Sequence, residues 1–249
     1  FNVPRRIARV RATDYLANEK VLGEDGFDVD LSICPEQILT DYIVKLVEFP
    51  EALQVLDFAG GKVSLVAVRA FKGGPLVGRQ LKDLRAQNPA LDTRIVAIFR
   101  GDRSIVPEGE TVIEAGDEVF CLAASGHIRE VMRELRRMDR PVRRVMIAGG
   151  GNIGMRLARA LEQDYSVRVI EHNTRRCEIL AARLSKALVL TGDTTDEELL
   201  EDEGIADMDL FVAVTNDDEN NIMSSLLAKR MGARRVVALI NRRSYVDLL

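Results

Sequence analysis

The chain has 249 residues, 47% of them hydrophobic, with 35 Lys and Arg against 39 Asp and Glu for a formal net charge of -4. That length and apolar content suffice for a sizeable core and exclude a largely disordered chain, and the slight acidic balance excludes the basic face with which proteins track nucleic-acid phosphates. No apolar run reaches the roughly 20 residues of a bilayer span, so no direct membrane insertion is expected, and the scattered Cys34, Cys121 and Cys177 show neither metal-ligand spacing nor a disulfide framework, which points to a reducing, cytosolic compartment.

The chain opens at Phe1 with "RRIARVRATDYL" over residues 5–16 and closes on "RRVVALINRRSYV" over 234–246; at an offset of 230, Ile7 falls on Val237, Ala8 on Ala238, Val10 on Ile240 and Tyr15 on Tyr245. Similarity at a fixed period marks duplication, so the chain is expected to be a piece of a longer protein that enters and leaves the same element of a repeat. Residues 34–49, "CPEQILTDYIVKLVEF", predict an amphipathic helix with Pro35 in its first turn and Ile38, Leu39, Tyr42, Ile43 and Leu46 on one stripe. Such a stripe packs into a core or, on a helix that crosses between subunits, against a partner.

From residue 53 the pattern changes. "KVSLVAVRAF" alternates, "RIVAIFR" and "DEVFCLA" are short β-rich runs, and Gly-Gly-Pro, Asn-Pro and Pro-Glu-Gly-Glu punctuate them. "SGHIREVMRELRRM" then predicts a closing helix with apolar Ile128, Val131, Met132 and Leu135, ended by Pro141. Residues 53–138 thus read as a small α+β domain. From 143 onward, strand-like runs ("RRVMIA", "VRVIE", "ALVLTGD", "DLFVAV", "RVVALI") alternate with helical ones, the signature of a doubly wound α/β domain with a parallel sheet covered on both faces.

The first strand-to-helix junction of that domain reads "RRVMIAGGGNIGMRLARAL", with the spacing G-x-G-x-x-G at Gly149, Gly151 and Gly154. In a dinucleotide site the first glycine makes the tight turn, the second lets backbone N–H groups approach a pyrophosphate, and the third allows close packing of helix on sheet. The helix is expected to begin at about Asn152, with its positive end toward the anion and Ile153, Leu157, Ala160 and Leu161 on its buried stripe. Glu171 closes the second strand 22 residues after Gly149, where a carboxylate accepts hydrogen bonds from both ribose hydroxyls. A carboxylate there favours NAD over NADP, while Arg175 and Arg176 either attract a phosphate or pair with acids on a solvated face. His172 either borders the adenosine or is a surface side chain. "TGD" at 191–193 and "TNDDENN" at 215–221 follow the third and fourth strands and complete the rim, or simply cap helices. The acids from Asp196 to Glu203 lack the loop glycine and alternate spacing of an EF-hand and read as a solvated helix face.

An NAD-dependent enzyme needs a second element that places substrate and proton carrier against the nicotinamide. The two histidines are His127 and His172, no Tyr-x-x-x-Lys pair lies near the nucleotide domain, and residues 53–138 offer no acid-base constellation. A non-enzymatic role is expected; the competing readings are a soluble NAD-dependent oxidoreductase and a regulator of another cation transporter.

The order of "SICPE", "GGPLVGRQLKDL", "RIVAIFRGDRSIVPEGETVIEAGDEVFCLA" and "GGGNIGMRLARALE" resembles the regulator-of-potassium-conductance (RCK) family over nearly the whole chain. The resemblance implies three pieces: residues 1–52 as the end of a first nucleotide-binding RCK N domain with its crossover helix, 53–138 as a small α+β RCK C domain, and 139–249 as a second Rossmann-like RCK N domain. It implies a regulatory subunit, cytoplasmic and peripheral on the inner membrane, that assembles as a homo-oligomer, dimer or ring, under the potassium-conducting membrane subunit of a Trk-type uptake system. It also implies NAD(H), or ATP and ADP, as ligands. Residue by residue, Gly149, Gly150, Gly151, Asn152, Ile153 and Gly154 match the phosphate turn, Glu171 with His172 the ribose end, Asp193 the adenine side, and Thr215 with Asn216 the loop beyond the fourth strand. Arg9 matches a nucleotide-proximal arginine of the first repeat, with Leu239 at that place in the second. Some relatives carry an arginine where Asn152 stands, so the γ-phosphate contact to ATP has no counterpart here.

Overall fold

Alternating apolar strands and amphipathic helices in the second half of the chain build an all-parallel sheet, as a computed structural model shows. The structure describes residues 3–11, 19–23, 26–75, 77–83, 93–135 and 140–246. Two compact units divide the chain, one of Phe1–Ile43 with Arg143–Leu249 and the other of Val44–Val142.

In the first unit, β1 (Ile7–Arg9) and β2 (Leu31–Ile33), separated by the short helix α1 (Glu19–Leu22), pair in parallel, Ile7 opposite Leu31. The helix α2 (Pro35–Glu48) follows at once and runs on into the second unit. Its buried face is Thr40, Ile43 and Val47, whereas Ile38 is 61% exposed. The apolar stripe expected from the sequence is therefore rotated, and Thr40 is admitted to the buried face because its hydroxyl donates to the Glu36 carbonyl at 2.7 Å.

The second unit is an antiparallel sheet in the order β3 (Ala52–Phe58), β4 (Val63–Arg69), β7 (Glu118–Ala124), β5 (Thr93–Arg100), β6 (Arg103–Ile105). The helix α3 (Ile128–Leu135) packs on it through Ile128, Val131 and Met132, after a 3-10 turn at Ser125–His127. The end of this helix near Pro141 lies outside the described residues. The alternation in "KVSLVAVRAF" places Ser64, Val66 and Val68 on the covered face. Ser64 is tolerated there because its hydroxyl bonds the Asp57 carboxylate at 2.6 Å and the Ser125 hydroxyl at 2.7 Å. Asp117, 1% exposed, is held by Arg100 Nε and Nη2 at 2.8 and 2.9 Å. Burial would raise its carboxyl pKa, and the Arg100 pair with the Glu114 N–H pulls it below the usual range instead.

The remainder of the first unit is the doubly wound domain. Its strands β8 (Arg144–Ala148), β9 (Ser166–Glu171), β10 (Leu188–Thr191), β11 (Leu210–Ala213) and β12 (Val236–Ala238) lie in the order β10-β9-β8-β11-β12, all parallel. The helices α4 (Asn152–Leu161), α5 (Thr174–Arg183), α6 (Glu197–Asp202) and α7 (Asp218–Arg230) connect them, and α8 (Arg243–Val246) follows β12. Val145 to Ala148 and Leu210 to Ala213 are buried to 4% exposure or less, as strands covered on both faces must be. The chain order reverses between β8 and β11, which opens a crevice at their carboxyl ends. On α4 the buried residues are Gly154, Leu157, Ala158 and Leu161; Ala160, expected inside, is exposed, Ile153 is only partly buried, and Ala158, one turn beyond Gly154, is covered instead.

The free thiols Cys34, Cys121 and Cys177 are all buried, and burial alone pushes that of Cys121 up to about 12. No helix among the described residues is long and apolar enough to cross a membrane.

Candidate nucleotide site

Turns at the carboxyl ends of β8, β9, β10 and β11 enclose one cavity of about 650 Å³, within the range of small-molecule sites. Gly149 and Gly151 bound it from the first turn, Glu171 to Asn173 from the second, Gly192 to Thr194 from the third and Val214 to Asp217 from the fourth. Arg175, Arg176 and Ile179 of α5 and Asn220 of α7 close its sides.

The three glycines of the fingerprint have separable reasons. Gly149 has φ +104°, and a Cβ there would stand 3.0 Å from the Thr215 backbone nitrogen. A Cβ on Gly154 would stand 1.9 Å from the Gly149 carbonyl oxygen, so the helix is docked directly on its own turn. Gly151 has φ -62°, and a Cβ there would meet no protein atom within 4 Å. No described residue requires glycine at 151. The space its missing side chain leaves belongs to the cavity, as expected where a phosphate approaches the backbone.

The start of α4 also differs from its neighbours. Asn173, Asp196 and Asp217 cap α5, α6 and α7 with side-chain oxygens that accept backbone N–H groups, but Gly151 gives α4 no such acceptor. Among the described residues no side chain caps the first N–H groups of α4, and Gly151, which precedes them, lines the cavity.

Glu171 closes β9 with its side chain 9% exposed. Its Oε2 accepts the Gly150 N–H at 2.8 Å and its Oε1 the Asn173 N–H at 2.9 Å, with His172 Nδ1 3.1 Å from Oε1. A carboxylate has about four acceptor positions, so capacity for ribose hydroxyls remains. Sequence spacing placed Glu171 at the ribose but did not show that it also ties the glycine turn to β9. Arg176 completes that tie, donating from Nε to the Gly150 carbonyl at 2.7 Å. Asp193 accepts the Thr195 hydroxyl at 2.7 Å and N–H at 2.8 Å. These two bonds hold its carboxyl below the usual carboxylate range, against the effect of burial and with help from the charge of His172.

Of the residues expected at the site, Gly149, Gly151, Glu171, His172, Asp193, Thr215 and Asn216 line the cavity. Gly150, Asn152, Ile153 and Gly154 form the turn and the first turn of α4 behind it. Arg9 lies in β1, is exposed, and is not among the lining residues. Asn221, at the end of the 215–221 stretch expected on the rim, is instead fully buried, and sequence reasoning did not assign its role. Its Oδ1 accepts the Thr215 N–H and hydroxyl at 2.9 and 2.7 Å, and its Nδ2 donates to the carbonyls of Thr215 and Leu239 at 3.1 and 2.9 Å. The doubled asparagine of "DENN", next to a strand end, was the available signal.

A doubly wound 3-2-1-4-5 sheet with a glycine turn at its switch point, carried on one chain with a small antiparallel α+β unit, defines a protein of the RCK class. Residues 145–249 match the TrkA-N domain and residues 65–136 the TrkA-C domain. The chain is 55% identical to the Trk system potassium uptake protein TrkA of Halomonas elongata over all of its own length and 54% of that relative's. Its identity to the TrkA of Vibrio alginolyticus is again 55%, covering 100% of the chain and 55% of the relative, and to a TrkA homolog of Methanosarcina mazei 35%, covering 98% and 60%. The chain belongs to the TrkA family, and it spans about half the length of the first two of these relatives. Among solved structures, the GsuK RCK domain aligns with 94% of the chain and 58% of its own at a TM-score of 0.53 and 16% identity, and a GsuK channel described as bound to NAD with 94% and 44% at 0.55 and 16%. Both likenesses establish the fold.

Proposed function

We propose that this chain is the nucleotide-sensing part of a regulatory subunit that gates a Trk-type potassium uptake system, and that NAD(H) occupies the cavity at the glycine turn. One observation carries the reading: Gly151 leaves room that only a ligand would use, directly before an uncapped helix start and across from Glu171. The pyrophosphate lies along the N–H groups of Gly151 to Ile153, and the adenosine ribose reaches Glu171 with Asp193 and His172 on the adenine side. Thr215 and Asn216 border the distal half. ADP or ATP fits the same turn with fewer contacts beyond β11. The family of uptake proteins in which the chain lies supports the potassium role, and the NAD described for a channel of the same fold supports the ligand. The membrane partner is then the potassium-conducting subunit, reached from the cytoplasmic side by a homo-oligomer, without enzymatic turnover of the nucleotide.

The repeat reading is part of the same proposal: β1 and β2 are the closing strands of a preceding doubly wound domain. The parallel pairing of β1 with β2 supports it, as does the correspondence of Ile7 and Ala8 with Val237 and Ala238 of β12. Gating then needs only unequal affinity. A nucleotide that prefers one arrangement of domains tenfold biases it by about 1.4 kcal/mol per site, and sites in an oligomer sum.

Calorimetric titration tests the assignment. NADH should bind the chain, Glu171→Ala should weaken it by about tenfold or more, and no NADH should be consumed with a panel of carbonyl substrates. Undiminished affinity in Glu171→Ala, or steady oxidation of NADH, overturns the reading.

A further inference from the structure

Arg156 stands two residues beyond Gly154 on α4, is half-buried, and is not among the residues that line the cavity. Its guanidinium reaches away from its own sheet into residues 3–43 of the same compact unit. Nη2 donates to the Arg11 carbonyl at 2.6 Å, and Nη1 to Cys34 Sγ at 3.1 Å and to Gln37 Oε1 at 3.3 Å. These acceptors mark three places: the chain leaving β1, the residue before α2, and the first turn of α2. The Cys34 carbonyl in turn accepts the N–H groups of Gln37 and Ile38, so the residue whose thiol Arg156 contacts is the one whose carbonyl starts α2. Arg11 and Cys34 also share Glu36, whose carboxylate oxygens lie 3.9 Å from Arg11 Nε and 3.8 Å from Cys34 Sγ.

At the start of α4, one half-turn before Arg156, the helix is packed directly on its turn. The position of a Gly154 Cβ, 1.9 Å from the Gly149 carbonyl, shows turn and helix in direct contact, and the turn is fastened to Glu171 and Arg176. A ligand that draws on the Gly151 to Ile153 N–H groups therefore acts on α4 as a body, and Arg156 ties α4 to the start of α2 through Cys34 and Gln37. A planar guanidinium satisfying three acceptors in fixed directions transmits a small displacement that a flexible ammonium would absorb.

Resting on the nucleotide reading above, we infer that Arg156 is a positioning residue that couples occupancy of the glycine-turn cavity to the start of α2. Contacts alone do not establish coupling, so the test measures both ends. Amide hydrogen exchange is followed on the 249-residue chain with and without NADH, at residues 149–154 and at residues 35–41, beside calorimetric affinity. In the unaltered chain NADH slows exchange at both segments. In Arg156→Gln, NADH still binds within about threefold and still protects 149–154, but the slowing at 35–41 disappears. Arg156→Lys, which keeps one donor for the Arg11 carbonyl, restores part of it. Gln37→Ala removes one acceptor without touching α4 and should cut the slowing by about half, which keeps the test decisive if Arg156→Gln does not fold. Protection confined to 149–154 in the unaltered chain overturns the inference while leaving the nucleotide reading intact. So does full slowing at 35–41 in both Arg156→Lys and Gln37→Ala. Absence of NADH binding and of any protection removes the nucleotide reading and the coupling with it.

Discussion

Alanine at Gly151 and alanine at Gly154 should have separable consequences, although both glycines belong to one six-residue fingerprint. At 154 the new methyl would sit 1.9 Å from a main-chain oxygen that cannot swing aside, so either α4 or the turn must shift. Overpacking of that kind costs about 1–3 kcal/mol, and the obstruction places it at the upper end. Alanine's higher helix propensity returns about 1 kcal/mol, leaving about 2 kcal/mol of net destabilisation. At 151 the methyl meets no protein atom within 4 Å and φ is -62°, so the fold loses only the N-cap preference of glycine over alanine, at most about 1 kcal/mol.

On the proposed nucleotide reading, however, the methyl at 151 occupies the path by which a phosphate reaches the α4 N–H groups. Losing one charge-assisted hydrogen bond costs about 1.5–3 kcal/mol, or about 10- to 100-fold in affinity for NADH. Denaturant unfolding of the doubly wound unit and calorimetry on the same preparations separate the two effects. Gly151→Ala should keep its unfolding midpoint close to the parent's and lose NADH; Gly154→Ala should lose both. If Gly151→Ala binds NADH as tightly as the parent, the open space at that position is not a phosphate path, and the site reading fails.

Two further substitutions probe the scaffold of the site. Asn221→Leu should destabilise the unit by about 2–4 kcal/mol, because it strands the Thr215 N–H and the carbonyls of Thr215 and Leu239; exchange of the Thr215 amide should rise with it, and an unchanged unfolding midpoint would refute the account. Glu162, 4% exposed, accepts the N–H groups of Ser185, Lys186 and Ala187 with one oxygen, and these bonds hold its carboxyl below its ordinary value against burial, which raises it. A depressed folded pKa stabilises in full above the unfolded value and fades as pH falls through the folded one. Glu162→Gln should therefore cost about 1–2 kcal/mol at pH 7 and progressively less below the ordinary carboxylate pKa, and a cost that grows on acidification would refute the assignment.

The parallel domain was legible because its information is local. Apolar runs of strand length, helices with one buried stripe, and a glycine spacing at the first junction each show within a short window, and Glu171 needed only a count of residues. The failures lie where a partner distant in sequence decides. Ile38 turned outward and Thr40 inward on α2, and Ala158 replaced Ala160 on α4, because the neighbour's position sets which flank of a helical stripe is covered. Asn221 and Arg156 act through residues 18 and up to 145 positions away, and composition carries no trace of either pairing. The glycines mark the boundary between the two kinds of knowledge. Sequence shows that 149, 151 and 154 are glycine, but not on whose account. The backbone geometry assigns 154 to the packing of a helix, 149 to a positive φ and a close neighbour, and leaves 151 with no structural claimant. A position whose side-chain space no described residue claims, at the mouth of an uncapped helix, is where a substitution separates the proposed ligand role from folding.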